Sequence, residues 1–222
     1  MRRSFVVAID GPAASGKGTL ARRLAGRFGL AHLETGALYR ATGLLILETG
    51  GDPADDTASL AAAGRVSAHL LARLSIDPRL RGEDVARAAS VVAANPEVRR
   101  RLLDFQRDFA AHPPEPARGA VLDGRDIGSV VCPAADVKLF ITADPEVRAR
   151  RRFNELRAVG SVAIYEDVLR ELKDRDARDA MRSAAPLTLP PDAMVIDTSA
   201  LDVDMVLERA SEIVSRAFAG WR

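Results

Sequence analysis

The chain has 222 residues and a formal net charge of +1 at pH 7, and 47% of its residues are hydrophobic, which is enough for one well-buried core. The near-neutral charge argues against a general nucleic-acid binder, and a single cysteine with three scattered histidines argues against a disulfide framework or a histidine metal site. Because the sequence shows neither a signal peptide nor an apolar run of membrane-spanning length, we expect a cytoplasmic protein without a membrane partner.

The first predicted elements are a strand over residues 4–9 and a helix over residues 17–28, which a glycine-rich turn connects. A turn of this kind cradles nucleotide phosphates, because its glycines let backbone N–H groups approach phosphate oxygens and the helix start adds positive potential. Lys17 supplies one mobile positive charge. The predicted ATP-binding residues are Gly11, Pro12, Ala13, Ala14, Ser15, Gly16, Lys17, Gly18 and Thr19. The alternative is a glycine-rich turn that binds nothing. The flanking strand and helix make this alternative the weaker one.

One position departs from the strict form of this motif. Gly18 follows Lys17 where a serine or threonine would normally help to hold magnesium. The form Gly-Lys-Gly-Thr resembles that of nucleoside monophosphate kinases, and on that resemblance we assign the hydroxyl near the metal to Thr19.

Strands and helices alternate along most of the remaining chain, which predicts an α/β fold with a parallel sheet covered on both faces. The further predicted strands are a short one at 32–34 and longer ones at 119–123, 136–142 and 193–198. The further predicted helices are 36–49, 85–94, 96–111, 145–158, 165–182 and 202–218.

Residues 50–85 interrupt this alternation with glycines, a proline and many alanines, and residues 74–82 alternate like a small hairpin. We interpret residues 50–111 as an inserted subdomain, which the proline-rich connector 112–116 closes before the core resumes. A stiff hinge beside a nucleotide site indicates a part that moves. An ordinary surface elaboration agrees with the composition about as well.

A second phosphate would need its own partners, and the segment 33–40 supplies candidates. We expect Thr35 to cap the helix that begins here, with Tyr39 and Arg40 about one turn later. The segment 122–128 follows a central strand, and open α/β sheets bind ligands at the carboxyl ends of their strands. In this segment Asp123 is a candidate outer-shell anchor for magnesium. Arg125 and Asp126 are candidates for reading a substrate phosphate and base.

Two predicted helices carry further charged candidates. The first places three arginines together on one face, Arg148, Arg151 and Arg152. Like charges at helical spacing repel by a few tenths of a kcal/mol per pair, so we favour an anionic ligand over a solvated face. The second places an Arg-Asp-Arg triplet on one face, Arg175, Asp179 and Arg182. Taken alone, this triplet is equally compatible with a salt-bridged exposed helix.

Five motifs, in this order and spacing, make the chain resemble the bacterial cytidylate kinases, which phosphorylate CMP and dCMP. They lie at residues 9–19, 35–40, 88–99, 123–131 and 175–182. The resemblance implies the P-loop nucleoside monophosphate kinase fold with a central five-stranded parallel sheet, ATP and Mg²⁺ as cofactors, and a monomer. It further implies a core of residues 1–49 and 112–222, an inserted monophosphate-binding subdomain at 50–111 and a small lid over about 148–164.

The same resemblance implies a role for each candidate residue. Cytosine would be recognised by Ser90, Arg99 and Asp126. The ribose would be held by Arg175 and Asp179, and the acceptor phosphate by Arg40, Arg125 and Arg182, with Thr35 and Tyr39 also in the substrate site. The catalytic residues would be Lys17, Arg125, Arg148, Arg152 and Arg182, with Arg148, Arg151 and Arg152 in the lid. Metal binding, direct or through water, would fall to Thr19 and Asp123. Glu34 stands where the family usually has aspartate, and we leave it outside the predicted site.

Two alternatives stay open at this point. One is another small-acceptor kinase of the same fold, acting on UMP, AMP or shikimate. The other is a nucleotide-dependent switch or binding protein without an acceptor. The sequence has no Asn-Lys-x-Asp guanine signature, and a switch has little need of a second set of arginines.

Overall fold

The computed structural model describes residues 3–158, 160–182 and 184–221. Its centre is a five-stranded sheet in the order β2-β3-β1-β4-β5, in which every pair of neighbouring strands is parallel. The strands are β1 (Phe5–Asp10), β2 (Ala31–Glu34), β3 (Gly119–Gly124), β4 (Val137–Thr142) and β5 (Met194–Asp197). The parallel five-stranded sheet predicted from the sequence is therefore confirmed, with each strand at its predicted place.

Helices cover both faces of this sheet. They are α1 (Lys17–Phe28), α2 (Gly36–Leu47), α3 (Asp56–Gly64), α4 (Ala68–Leu74), α5 (Glu83–Val92), α6 (Pro96–Ala111), α7 (Pro145–Ala158), α8 (Tyr165–Met181) and α9 (Val203–Gly220). A 3-10 helix (Pro78–Arg81) and a π-helical turn (Ile127–Val131) complete the described elements. In the part of the chain that the structure describes, no helix combines the length and the apolar character needed to cross a bilayer.

The hairpin predicted at residues 74–82 is wrong, because this stretch forms the end of α4 and the 3-10 helix. Helices α3, α4 and the 3-10 helix each begin at a side chain that accepts backbone N–H groups, which favours a helix start. These capping residues are Asp55, Ser67 and Asp77. Leu74 and Leu80 are buried whereas Ile76 is 86% exposed, so the apolar residues here do not mark one face of a strand.

The sheet is buried on both sides, which explains why β1 reads as an almost continuous apolar run. Phe5, Val7 and Ile9 face a core shared with α1 and α9. Ala8 faces the opposite core, which α6 and the π-helical turn cover. Because neighbouring strands are parallel, their carboxyl ends emerge together at one edge of the sheet. Ligands bind at this edge in open parallel sheets.

A second hydrophobic core lies beside the sheet and is built by α2 together with α3, α4, α5 and α6. Helices α2 and α5 approach closely at Gly43, where an added Cβ would lie 2.9 Å from the Cβ of Ala88. The residues of the expected insertion thus pack as a group, but α2, which precedes them, belongs to the same core. Movement of residues 50–111 as one subdomain stays a prediction.

Candidate active site

The turn between β1 and α1 has a backbone that only small residues accept. Gly11 has a φ of +148°, and a Cβ there would lie 2.0 Å from the carbonyl oxygen of Ile141. Ala14 and Gly16 also have positive φ, at 56° and 90°. Turns with such left-handed residues present successive backbone N–H groups on a concave surface that binds anions. We call residues 11–19 the phosphate loop.

Lys17 is the first residue of α1 and lies back over the phosphate loop. Its Nζ donates to the carbonyl oxygen of Pro12 at 3.0 Å, and the side chain is buried. Burial, and next the positive charge of Arg125, lower the pKa of Lys17 from 10.5 to about 7. An anion bound in the loop would favour the charged form of the lysine. The site is therefore prepared for a phosphate group.

Of the two predicted metal residues, Thr19 belongs to this loop and Asp123 lies beside it. Asp123 is the buried last residue but one of β3, and its Oδ2 would be 3.7 Å from a Cβ added to Gly18. Thr19 is exposed on the first turn of α1. Carboxylate and hydroxyl oxygens are ligands that Mg²⁺ accepts, usually with several waters and the phosphates of the substrate. The described residues contain no group of three or more His, Cys, Asp or Glu side chains that could hold a metal by themselves.

A cluster of guanidinium groups surrounds one carboxylate on α8. Asp179 is fully buried and accepts from Nε of Arg125 at 2.8 Å and from Arg182. Burial opposes ionisation, but the charges of Arg125 and Arg182 hold the pKa of Asp179 below its usual value. Burial and the charge of Arg125 lower the pKa of Arg175 to about 9. We call Arg40, Arg125, Arg175 and Arg182 the arginine cluster.

The arginine cluster has donors to spare. Within the described ranges, Nε of Arg40, Arg175 and Arg182 is buried without a hydrogen-bond partner. A buried donor left unpaired costs about 1–3 kcal/mol, and more for a charged group. Such donors are typical of a site for an anionic ligand, since no acceptor of the protein pairs with them. The structure brings together all members of the Arg-Asp-Arg triplet, together with Arg40 and Arg125 from two other elements.

Glu34 was left outside the predicted site, but it lies inside. Its Oε1 is 2.5 Å from a guanidinium nitrogen of Arg40, and its Oε2 is 3.6 Å from Arg81. Burial works against ionisation, yet the charge of Arg40 keeps the pKa of Glu34 below its ordinary value. The sequence feature that could have placed Glu34 in the site is an acidic side chain at the end of a strand. In the structure, Glu34 lies opposite Asp123 in the register of β2 and β3.

Thr35 lies at the start of α2 but does not cap it as predicted. Its backbone is already helical, with φ −64° and ψ −26°, and its hydroxyl makes no capping bond. Instead Oγ1 donates to the carbonyl oxygen of Asp123 at 2.8 Å. Because α2 begins directly after β2, this side chain connects two neighbouring strand ends rather than closing a helix turn.

Next to the arginine cluster lies a buried ion pair between two of the three side chains to which the resemblance assigns cytosine. Arg99 on α6 pairs with Oδ2 of Asp126 at 2.5 Å, and its guanidinium carbon lies 5.4 Å from the ring centre of Tyr39. Ser90 on α5 is buried and accepts from Nε of Arg178 at 3.2 Å. We call Ser90, Arg99 and Asp126 the base pocket, because the sequence predicted cytosine recognition here.

Sequence reasoning gave no role to Asp10, which ends β1. This carboxylate is buried and accepts from the backbone N–H groups of Ile127 and Gly128, each at 2.7 Å. Burial raises its pKa from 3.8 to about 6. Asp10 thereby fixes the π-helical turn that follows Asp126. The sequence feature that could have identified Asp10 is an acidic residue directly after an apolar run and before the glycine-rich turn.

The three α7 arginines that the sequence places on one face contact groups within the protein, and an anionic ligand for this face stays a prediction. Arg148 is buried, and its guanidinium contacts the carbonyl oxygens of Ala143 at 2.9 Å and Ala13 at 3.2 Å and a carboxylate oxygen of Asp176 at 2.7 Å. This side chain braces the phosphate loop against α8. The repulsion is relieved by groups from distant segments, which helical spacing within α7 alone did not reveal.

The other two arginines of this predicted face, Arg151 and Arg152, also contact protein atoms. Arg151 donates to both the hydroxyl and the carbonyl oxygen of Thr198, at 2.9 and 2.7 Å, and one of its nitrogens would lie 4.0 Å from a Cβ added to Gly16. Arg152 contacts Glu155 and the carbonyl oxygen of Arg81, each at 3.4 Å. Arg151 therefore borders the phosphate loop, and Arg152 touches the 3-10 helix.

The parallel sheet and the phosphate loop define a P-loop protein, and the arginine cluster adds a second cationic region at the same sheet edge. The model of the family described as "Cytidylate kinase" matches residues 7–216. A relative named cytidylate kinase from Rhodospirillum rubrum is 54% identical over 212 residues, which cover 95% of this chain and 97% of that protein. Another of that name from Granulibacter bethesdensis is 55% identical over 213 residues, covering 96% and 97%. The chain belongs to the cytidylate kinase family.

A solved structure is similar in fold alone. It is an uncharacterized protein from Eubacterium ventriosum with a TM-score of 0.54 and 13% identity, covering 96% of this chain and 99% of that chain.

Proposed function

We propose that this protein is a cytidylate kinase, which transfers the terminal phosphoryl group of ATP to CMP or dCMP and releases ADP with CDP or dCDP. The observation that carries the proposal is the closeness of two cationic regions. Arg125 and Arg175 of the arginine cluster lie near enough to Lys17 of the phosphate loop to lower its pKa. Two negatively charged phosphate groups brought face to face need such a concentration of positive charge.

The donor side is formed by the phosphate loop and Lys17, which hold the ATP phosphates through backbone N–H groups and one ammonium. Mg²⁺, when bound, would be held by Thr19 and Asp123, directly or through water, and would neutralise phosphate charge. Arg148 holds the carbonyl of Ala13 in the loop. We therefore assign Arg148 a positioning role in place of the catalytic role that the sequence suggested.

On the acceptor side, Arg40, Arg125 and Arg182 would hold the monophosphate, and Arg175 and Asp179 the ribose. The buried, unpaired Nε groups of Arg40 and Arg182 support an anion here. The second pKa of a phosphate monoester is about 6, so the acceptor oxygen is already ionised at neutral pH and needs no protein base. The protein's task is to position two phosphates and to stabilise the transition state.

The base pocket supports cytosine over uracil. Asp126 uses Oδ2 for Arg99, and an ionised carboxylate can only accept hydrogen bonds, so Oδ1 suits a donor. Cytosine offers an amino group at C4, where uracil offers a carbonyl oxygen. A carbonyl facing a buried carboxylate would leave both acceptors without a proton, which costs the bound complex free energy.

Closure would complete the site, because water competes with the acceptor for the phosphoryl group. We propose that the lid over about 148–164 and the subdomain 50–111 close together on the two substrates. The contact of Arg152 with the backbone of Arg81 already joins these two regions. All residues of the proposed site come from one chain, and we propose that the protein acts as a monomer.

The proposal is tested by measuring ADP release with ATP and Mg²⁺ in the presence of CMP, dCMP, UMP, AMP or shikimate. We expect CMP and dCMP to give the highest kcat/KM values. A higher value with AMP, UMP or shikimate would identify another small-acceptor kinase. Slow ADP release that no acceptor accelerates would identify a nucleotide-dependent switch.

A further inference from the structure

His32 makes a buried contact that the proposed reaction does not yet use. Its Nε2 lies 2.7 Å from Oδ1 of Asp123, and the two side chains are 16% and 5% exposed. An ionised carboxylate can only accept, so Nε2 of His32 carries the proton and donates it. The imidazole therefore holds one of the two oxygens of the carboxylate that we assign to the metal.

The register of the sheet explains how the contact forms. Glu34 on β2 lies opposite Asp123 on β3, and His32 lies opposite Val121. Side chains two residues apart on a strand share one face of the sheet, so His32 and Asp123 project on the same side. The imidazole reaches diagonally to Oδ1, while Oδ2 points towards Gly18 of the phosphate loop.

Asp123 is thus fixed at two points by different elements. Thr35 donates to its backbone carbonyl at 2.8 Å, and His32 to its side chain. The charges of Asp123 and Lys17 interact, and a carboxylate free to rotate has this ammonium as a competing partner. Lys17 instead donates to the carbonyl oxygen of Pro12. Because His32 holds the carboxylate of Asp123, that carboxylate stays available for the metal and the ammonium of Lys17 for the phosphates.

We propose that His32 is a positioning residue for the metal of the donor nucleotide, acting through Asp123; this rests on the proposed function. It holds Oδ1 so that Oδ2 faces the phosphate loop. Partners of this kind orient metal ligands in many proteins, and their mutation commonly weakens metal affinity about 10–100-fold.

The test uses the full chain with His32→Leu, which removes the donor, and His32→Gln, which keeps an N–H group at similar reach. Binding of Mn²⁺ in the presence of ADP is followed by electron paramagnetic resonance, and melting temperature reports folding. We expect His32→Leu to weaken Mn²⁺ binding at least about 10-fold and His32→Gln to restore most of it. The KM for CMP should stay unchanged. His112→Leu is the matched control, since its contact with Asp108 lies on the exposed surface.

A double-mutant cycle with Asp123→Asn shows whether His32 acts through this carboxylate. We expect His32→Leu to have no further effect on Mn²⁺ binding when Asp123 is already Asn. Unchanged Mn²⁺ binding in folded His32→Leu, equal losses in the Leu and Gln variants, or additive losses in the cycle would each overturn the inference. Absence of CMP phosphorylation by the wild type would instead contradict the proposed function, because the Mn²⁺ measurement requires no acceptor.

Discussion

Arg125 and Asp179 form a buried ion pair in which Nε of the arginine donates to Oδ2 of the aspartate at 2.8 Å. The pair connects the carboxyl end of β3 to α8 and so joins the sheet to that helix. Arg182 contacts the same carboxylate. The single carboxylate of Asp179 thus pairs with more than one guanidinium group. A bound phosphate would supply the further negative charge that these groups lack.

Asp179→Asn is expected to destabilise the ligand-free protein strongly. Removing one partner of a buried pair leaves charge uncompensated, which costs about 3–5 kcal/mol of the free energy of unfolding. An anion bound to the arginines supplies part of the missing charge, and a ligand that binds only the folded state stabilises it. We therefore expect added sulfate to raise the urea midpoint of the variant more than that of the wild type.

The control for this measurement is Asp174→Asn, an exposed aspartate on the same helix. Its urea midpoint should stay close to that of the wild type with and without sulfate. If sulfate raises the midpoint of wild type and Asp179→Asn equally, the arginines do not form an anion site that Asp179 balances.

Lys17→Met is expected to abolish most phosphoryl transfer while leaving the protein folded. Loss of one donor to the transition state costs about 3 kcal/mol, or roughly a hundredfold in kcat. Lys173→Met, on the surface of α8, should keep wild-type activity. A kcat in the Lys17 variant near that of the wild type would remove this lysine from the catalytic residues.

The lowered pKa of Lys17 adds a test on stability. Between about pH 7 and pH 10.5 the unfolded lysine holds a proton that the folded one has released, so the free energy of unfolding rises with pH in that interval. We expect wild type to gain stability relative to Lys17→Met when urea unfolding is compared at pH 7 and pH 9. Parallel changes in both proteins would show that Lys17 stays fully protonated in the folded state.

The sequence predicted those elements whose apolar residues follow a clear period. Strand β1 and helices α1 and α6 were located well, because their buried faces are long and regular. Helices α3 and α4 were missed because both are short, and the alanines of α3 give little periodic signal. Their caps at Asp55 and Ser67 were the available evidence for helix starts.

The site was predictable where a motif combines a backbone requirement with charge, as in the phosphate loop. It was less predictable where a side chain's partner comes from far along the chain. Arg148 meets Ala13 across 135 positions, and Thr35 meets Asp123 across 88. Spacing within one helix could not reveal these contacts. Glu34 and Asp10 carried a signal, an acidic residue at a strand end, that was left unused.

The buried carboxyl of Asp10 should make stability depend on pH in the acidic range. Burial raises its pKa from 3.8 to about 6, so between these values the folded state binds more protons than the unfolded state. Its contribution to the free energy of unfolding is therefore greatest below pH 4 and is lost as pH rises through 6. A shift of about two pKa units corresponds to about 3 kcal/mol.

Asp10→Asn removes this titration and keeps one acceptor for the N–H groups of Ile127 and Gly128. Urea unfolding of both proteins at several pH values between 4 and 7 gives the difference in their free energies. We expect the stability of wild type relative to the variant to fall by up to about 3 kcal/mol as pH rises from 4 to 7. A difference that stays constant would mean that Asp10 is ionised in the folded state throughout, held so by its two backbone donors.

Asp126→Asn should change which base the pocket accepts. The amide of Asn both donates and accepts, whereas the carboxylate only accepts, so the variant can face the carbonyl oxygen of uracil without two acceptors meeting. We expect kcat/KM for CMP to fall about 10- to 150-fold, since a lost hydrogen bond to a charged group costs about 1.5–3 kcal/mol. The value for UMP should fall less or rise. The ratio of kcat/KM for CMP to that for UMP, measured by ADP release at fixed ATP, reports the change.

Arg99 loses its ion-pair partner in the Asp126→Asn variant, so the melting temperature of the variant is measured alongside. If both acceptors lose equal activity in a variant that melts like the wild type, Asp126 does not distinguish the two bases, and cytosine selection must lie with Ser90 and Arg99.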